Sequence, residues 1–262
     1  MDWKTLQLAE ADGVLTITLN RPEKRNAISF ELIDDLMGAL AAERESSSQV
    51  IILTGAGQAF CSGMDLESLK TLSAAGRSYE ENLRDSEAMA RLFRSLYDFP
   101  KPTIAAVNGP ALAGGTGIAT ACDFTLASDL AKFGYTEVRI GFIPAIVSSL
   151  LKRQVGEKHA RDLLLTGRIF GAEEACRMGL VNEVLEPEKL MPRARELAAA
   201  LMQNSPTSVR LTKALLSEYA REQLDSEMKL GQEENARIRS TDDFREGVTA
   251  FLEKRKPKWK GK

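Results

Sequence analysis

Four short segments restrict the architecture open to this chain. VLTITL (14–19) alternates Leu15, Ile17 and Leu19 with Thr16 and Thr18, whereas QVIILTG (49–55) and TIAAVNG (103–109) are largely apolar and DFTLAS (123–128) is a further short strand pattern. Alternation marks a strand with one wet face, and a continuous apolar run marks a strand buried on both. The first strand pairs as a hairpin within WKTLQLAEADGVLTITLNRP, with Asp12-Gly13 as the turn. Helical patterns lie between the strands. SFELIDDLMGAL carries Leu32, Ile33, Leu36, Met37 and Leu40 at helical spacing behind Ser29, a candidate N-cap. Residues 78–98 read as a polar-faced helix stopped by Pro100 and Pro102, and GGTGIATA (114–121) can open another. This alternation predicts an α/β core with largely parallel pairing. The stretch 56–77 reads as loop. Beyond about residue 186 the pattern is helical throughout, with Pro187, Pro192 and Pro206 near candidate helix starts. The chain therefore divides into an α/β core, 1–186, and a C-terminal helical region, 187–262, with no internal repeat.

Several function classes are disfavoured by composition. The formal net charge of −2 over 262 residues gives no global pull toward nucleic acid or an anionic membrane. No apolar run is long enough for a membrane span, and the N-terminal MDWKTLQLAEADG lacks a signal-peptide pattern. Cys61, Cys122 and Cys176 are odd in number and irregular in spacing, as expected of reduced thiols in a cytoplasmic protein. The single histidine, His159, sits in the charged helical stretch GEKHARD and reads as solvated. A serine–histidine–acid triad would have to use it, and a zinc site would lack partners, so no metal site is expected.

The densest glycine cluster is ALAGGTGIATACD (111–123), with Gly114, Gly115 and Gly117. Gly115-x-Gly117 is a near miss to a dinucleotide fingerprint, with Thr120 in place of the third glycine and Glu137 about twenty residues on. Pro110 intervenes after the strand, and no Gly-Lys-Ser/Thr follows. The cluster can instead expose backbone N–H groups at a helix start, aimed at a carbonyl oxygen that gains charge. AFCSGMDL (59–66) is a second glycine turn after a buried strand and could supply another N–H. Taken alone, both loops read equally well as tight turns in a packed sheet.

LNRPEKRNAIS, AFCSGMDL, AAVNGPALAGGTGIATACDFTLAS, KFGYTEVRIGFIP, LLLTGRIFGAEEACRMGLVNEV and FLEKRKPKWKG occur in the order and spacing of the crotonase superfamily, the enoyl-CoA hydratase/isomerase family, which the chain resembles over nearly its whole length. The resemblance implies a crotonase-like spiral of ββα units with a C-terminal helical oligomerisation region. It also implies acyl-CoA substrates, trimers or dimers of trimers, and no cofactor, coenzyme A being part of the substrate. The N–H groups of Met64 and Gly114 would clasp the thioester oxygen. Lys24, Ala27, Ser62, Asp65 and Leu66 would contact CoA, and Phe251 with Lys254 resembles a C-terminal pair that reaches a neighbouring subunit's CoA.

Hydratases of the family commonly use two glutamates. The register puts Gly117, within the substrate-binding loop, where the first would stand, and keeps the second as Glu137. One carboxylate suffices to move a proton between carbons. The resemblance thus implies enoyl-CoA hydration, with isomerisation of 3-enoyl-CoA to 2-enoyl-CoA as the alternative. A degenerate acyl-CoA-binding or RNA-interacting subunit is the alternative from another class. Ala145 replaces the extra aspartate of dienoyl-CoA isomerases. Asp123 and Glu67 are the other nearby acids, and the acyl pocket is expected from loop 67–90 and from helix residues around Phe142 to Ser149.

Overall fold

The strand pattern closes as two sheets. The computed structural model describes residues 3–262. Its strands are β1 (Leu6–Ala11), β2 (Val14–Leu19), β3 (Val50–Gly55), β4 (Thr103–Val107), β5 (Ala111–Leu112), β6 (Phe124–Ser128), β7 (Lys132–Gly134), β8 (Ile169–Gly171) and β9 (Glu183–Leu185). The main sheet has the order β1-β2-β3-β4-β6-β9 and is parallel except at the β1–β2 hairpin. Asp12 and Gly13 turn that hairpin at φ 51° and 76°, the positive values a tight two-residue turn requires. β3 is buried at every position, as its apolar run demands. β5, β7 and β8 form a small second sheet.

The helices are α1 (Phe30–Glu43), α2 (Leu66–Leu72), α3 (Tyr79–Tyr97), α4 (Gly114–Ala121), α5 (Ala145–Thr166), α6 (Ala172–Arg177), α7 (Pro187–Met202), α8 (Pro206–Ile238) and α9 (Asp242–Leu252). Ser29 caps α1 by accepting from the Leu32 N–H. Ser78 and Glu81 form a reciprocal capping box on α3. One face of the main sheet packs on α1, α3, α4 and α5 through Ile17, Leu36, Leu53, Phe93 and Leu150. The other is covered by Leu190, Ala194 and Ala198 of α7, against Val14, Ile52 and Ile104. The C-terminal region thus completes the core: α8 adds Leu224 and Met228 to the first face, and α9 packs Phe244 and Val248 against Leu69 and Leu72 of α2. No helix among the described residues is long and apolar enough to cross a membrane.

Three local expectations are corrected. The stretch 56–77 is not all loop: Asp65 accepts from the Glu67 N–H and starts α2. Pro192 lies inside α7 and starts nothing, while Pro187 and Pro206 do occupy first helical positions. Phe142 precedes α5 rather than lying on a helix.

Asn26 holds the loops that lead to the site. It is fully buried at φ 54°. Its Nδ2 donates to the Ala56 and Ala59 carbonyls at 2.9 and 2.7 Å, and its Oδ1 accepts from the Arg21 N–H at 2.9 Å. Asn26→Ala leaves buried groups unpaired and places a residue with no local side-chain hydrogen bond in a left-handed conformation. A loss of about 3 kcal/mol is expected, read as a lower urea midpoint at unchanged m and fixed protein concentration.

Candidate active site

Two backbone N–H groups are left without acceptors where the loop after β3 meets the start of α4. Cys61 bridges Ala111, and Ile28 bridges Met64, both in parallel sense. In the second bridge the Ile28 N–H donates to Gly63 at 2.7 Å and the Asp65 N–H donates to Ile28 at 2.8 Å. The Met64 N–H therefore points away from its partner strand. Gly114 is the first residue of α4, so its N–H has no acceptor within the helix. Among the described residues neither N–H donates to any group, and both residues line one cavity.

The glycines of this loop differ in purpose. A Cβ on Gly115 would overlap the Cys61 carbonyl, so its absence lets the two loops touch. A Cβ on Gly114 would meet Ile28 Cδ1 at 2.9 Å. Gly63 sits at φ 91° and turns the 61–64 loop. Ala113, between β5 and α4, is held at φ 48°, ψ −122°, a region an L-residue enters at a cost of about 1–3 kcal/mol. Its N–H donates to Gly134 at 2.7 Å and its carbonyl accepts from Gly117 at 3.0 Å. These bonds hold the strained residue beside the free Gly114 N–H.

Glu137 opens the 3-10 turn Glu137–Ile140 that follows β7. α9 backs this turn closely: side chains at Gly141 or Gly247 would collide with the Asp243 or Ile140 backbone. Glu137 lines the cavity, and its Oε2 is closed off from solvent with no hydrogen-bond partner. Burial pushes the carboxyl up to about 7, opposed only by its own backbone N–H. A group poised there can both take and give a proton near neutral pH. The cavity encloses about 1110 Å³ counting its open mouth. Its walls are mostly apolar, from Ile28, Leu69, Met89, Phe93, Phe142 and Phe244.

Segments 67–90 and 142–147 supply cavity wall as expected, Ala145 included, but Ser148 and Ser149 do not. Ser62 lies at the cavity, and half-exposed Phe251 lies on the rim of its own chain's cavity. Lys24, in the 3-10 turn Pro22–Lys24, is exposed and forms no ion pair among the described residues. Ala27 is buried, and its carbonyl accepts from Arg21 at 2.6 Å. Leu66 is exposed at the start of α2.

Three further residues stand apart from the cavity. The Asp65 carboxylate, almost fully buried, caps α2 and pairs with Arg21 at 2.9 Å. Burial raises its pKa, but the Glu67 N–H and Arg21 outweigh that and hold it below the usual range. Lys254 lies past the end of α9 at φ 54° and does not line its own chain's cavity, which leaves it available to a neighbouring subunit. Gly117 does not line the cavity either, because Phe93 lies against it. A Cβ on Gly117 would stand 2.5 Å from Phe93 Cζ, so the ring fills the place of a first carboxylate.

Asp123 accepts from Thr103 and pairs with Lys213 at 2.6 Å, outside the cavity, and Glu67 is exposed. His159 is exposed on α5, as expected. Among the described residues no three His, Cys, Asp or Glu side chains gather as metal ligands. The sequence reading missed Arg21, Phe93, Asn235 and Arg239. Only Phe93 left a signal, the helical spacing of Phe93 with Leu96 on α3.

The sequence profile described as enoyl-CoA hydratase/isomerase matches residues 9–262. A Thermus thermophilus protein provisionally named an enoyl-CoA hydratase is 46% identical over 95% of this chain and 98% of its own. Crotonyl-CoA hydratase of Syntrophomonas wolfei is 35% identical over 98% of both. The crystal structure of an enoyl-CoA hydratase/isomerase from Pseudoalteromonas atlantica superposes with a TM-score of 0.86 at 31% identity, covering 98% of this chain and 100% of that one. Unpaired N–H groups, an orphaned carboxyl and near-complete coverage agree: the chain belongs to the enoyl-CoA hydratase/isomerase family.

Proposed function

We propose that this protein is an enoyl-CoA hydratase, adding water across the 2,3 double bond of a CoA thioester. The observation that carries the reading is the unpartnered Glu137 carboxyl in the same cavity as the free N–H groups of Met64 and Gly114. The thioester oxygen lies between those N–H groups. Glu137 takes a proton from water as the water oxygen bonds to C3. The double-bond electrons move to C1–C2, and the carbonyl electrons settle on the oxygen as an enolate. Each N–H facing that oxygen in a dry site is worth about 3 kcal/mol. Glu137 then returns the proton to C2, the carbonyl re-forms, and the carboxylate is regenerated. With Phe93 in the place of a second carboxylate, Glu137 serves both half-steps and delivers both additions from one side. Water addition transfers no net electrons, so the reaction calls for no redox cofactor, and coenzyme A arrives with the substrate.

Lys24, with the backbone near Ala27, half-buried Ser62 and exposed Leu66, forms the CoA-binding edge. The region 187–262 carries subunit contacts in a trimer or dimer of trimers. Leu211, Leu215 and Tyr219 support this, exposed along one stripe of α8. The free thiols of Cys61, Cys122 and Cys176 fit the cytoplasm.

Glu137→Gln keeps size and hydrogen bonding but removes the base. Turnover of crotonyl-CoA, followed by loss of enoyl absorbance, is expected to fall by about 10²–10⁴; full activity would remove Glu137 from the mechanism. The working form is the carboxylate, and its pKa is raised to about 7. The free enzyme's kcat/KM should therefore rise with pH up to about 7 and level above it, a limb absent in Glu137→Gln. Gly117→Glu on its own should cost about 1–3 kcal/mol by overpacking against Phe93 and should not raise hydration. Sedimentation at micromolar concentration is expected to give an oligomer, and a single monomeric species would refute the assembly.

A further inference from the structure

Three of the buried side-chain polar atoms without a partner belong to one cavity: Glu137 Oε2, Asn235 Oδ1 and Arg239 Nε. The first is explained by the chemistry. The other two are not. Asn235 and Arg239 lie one turn apart at the end of α8, and are 5% and 7% exposed. The Arg239 guanidinium lies over the Phe142 ring, 5.5 Å from its centroid. Its Nη1 donates to the Asn82 carbonyl at 3.2 Å and its Nη2 to Ser86 Oγ at 3.3 Å. The one carboxylate paired with it among the described residues, Asp85 at 3.4 Å, is shared with Arg77, which binds it more closely. Two arginines thus meet one carboxylate, leaving a buried positive charge in a wall that is mostly apolar. Burial pulls the Arg239 pKa down only to about 10, so it stays a cation at neutral pH. A buried charge so poorly matched calls for an anionic partner with hydrogen-bond acceptors.

We propose that the acyl chain of the substrate carries a terminal carboxylate, received by Arg239 and Asn235 in the wall of the cavity that holds Glu137. The inference rests on the hydratase reading. Arg239 Nε donates to one carboxylate oxygen. The Asn235 amide, whose oxygen and nitrogen exchange places by a half-turn, donates to the other. Asp85 and Ser86 hold the guanidinium in place, and Asp85 leaves it only partly neutralised. The preferred substrates are 2-enedioyl-CoA esters, and the product keeps the terminal carboxylate untouched.

The test compares kcat/KM for 2-enedioyl-CoA and 2-enoyl-CoA esters of equal carbon number, from five to eight carbons. Affinities for the saturated dioyl- and acyl-CoA esters are measured by calorimetry in parallel. At the best-fitting length the wild type is expected to favour the dioyl ester roughly tenfold to a hundredfold, mainly through KM. Arg239→Gln should abolish or invert that ratio, and Arg239→Lys should keep part of it. Arg239 also ties α8 to α3, so Asn235→Leu provides a second variant, expected to shift the ratio toward the apolar ester. The ratio cancels a general loss of activity. Preference for the apolar ester at every length, for an ω-hydroxyl over a carboxylate, or a ratio unmoved in folded Arg239→Gln would overturn the proposal. Crotonyl-CoA turnover without dioyl preference would sink this inference and spare the hydratase reading. Selective dioyl-CoA binding without turnover would do the reverse.

Discussion

The site depends on how closely two backbone segments can approach. The loop 61–64 and the start of α4 meet where Gly115 lies against the Cys61 carbonyl, a contact that no residue with a Cβ could make. The Cys61–Ala111 and Ile28–Met64 bridges then fix the register on either side. That close approach brings the unpaired Met64 and Gly114 N–H groups to one cavity, where the proposed hydration places a single oxygen between them. The electrostatic part of the site is therefore set by packing. Its donors are backbone, so they need no side-chain ordering at the moment of reaction.

The same packing sets the acid–base group. Glu137 begins a turn clamped between β7 and α9, and the glycine contacts at 141 and 247 leave that turn no room to withdraw. Its carboxyl is held in a mostly apolar cavity, paired with no cation among the described residues, and desolvation raises its pKa. In the proposed hydration, an ion pair would lower that pKa and impair the proton return to C2. The Asp65 carboxylate illustrates the contrast: Arg21 and a helix N-terminus keep it ionised, and its role is structural.

Local signals were legible where local physics decides. Asp12-Gly13 turns the hairpin, Ser29 caps α1, and the apolar run of β3 is buried on both faces, because short-range sterics or patterning suffices for each. The resemblance identified Met64, Gly114 and Glu137 by motif, and all three line the cavity. What remained hidden is long-range. Asp65 passes for a loop residue until Arg21, 44 positions earlier, is brought beside it. Gly117 reads as a missing acid until Phe93 of α3 is found against it. Arg239 looks like one more surface charge in RIRST until the α8–α9 corner folds over α3.

The pairing of Gly117 with Phe93 also changes the meaning of the absent glutamate. An open position would mean that a second acid had been lost and its space left to water. Here the space is filled by a ring that is 2% exposed and belongs to the main core. Glycine at 117 is what admits that ring, and the ring in turn gives the cavity an apolar wall beside α4. Such a wall keeps the Glu137 surroundings poor in water, and the raised pKa depends on that. A carboxylate at 117 would draw in solvent, or repel Glu137 if dry. In the proposed hydration, a single carboxyl can do the work of two because its neighbour is an aromatic ring.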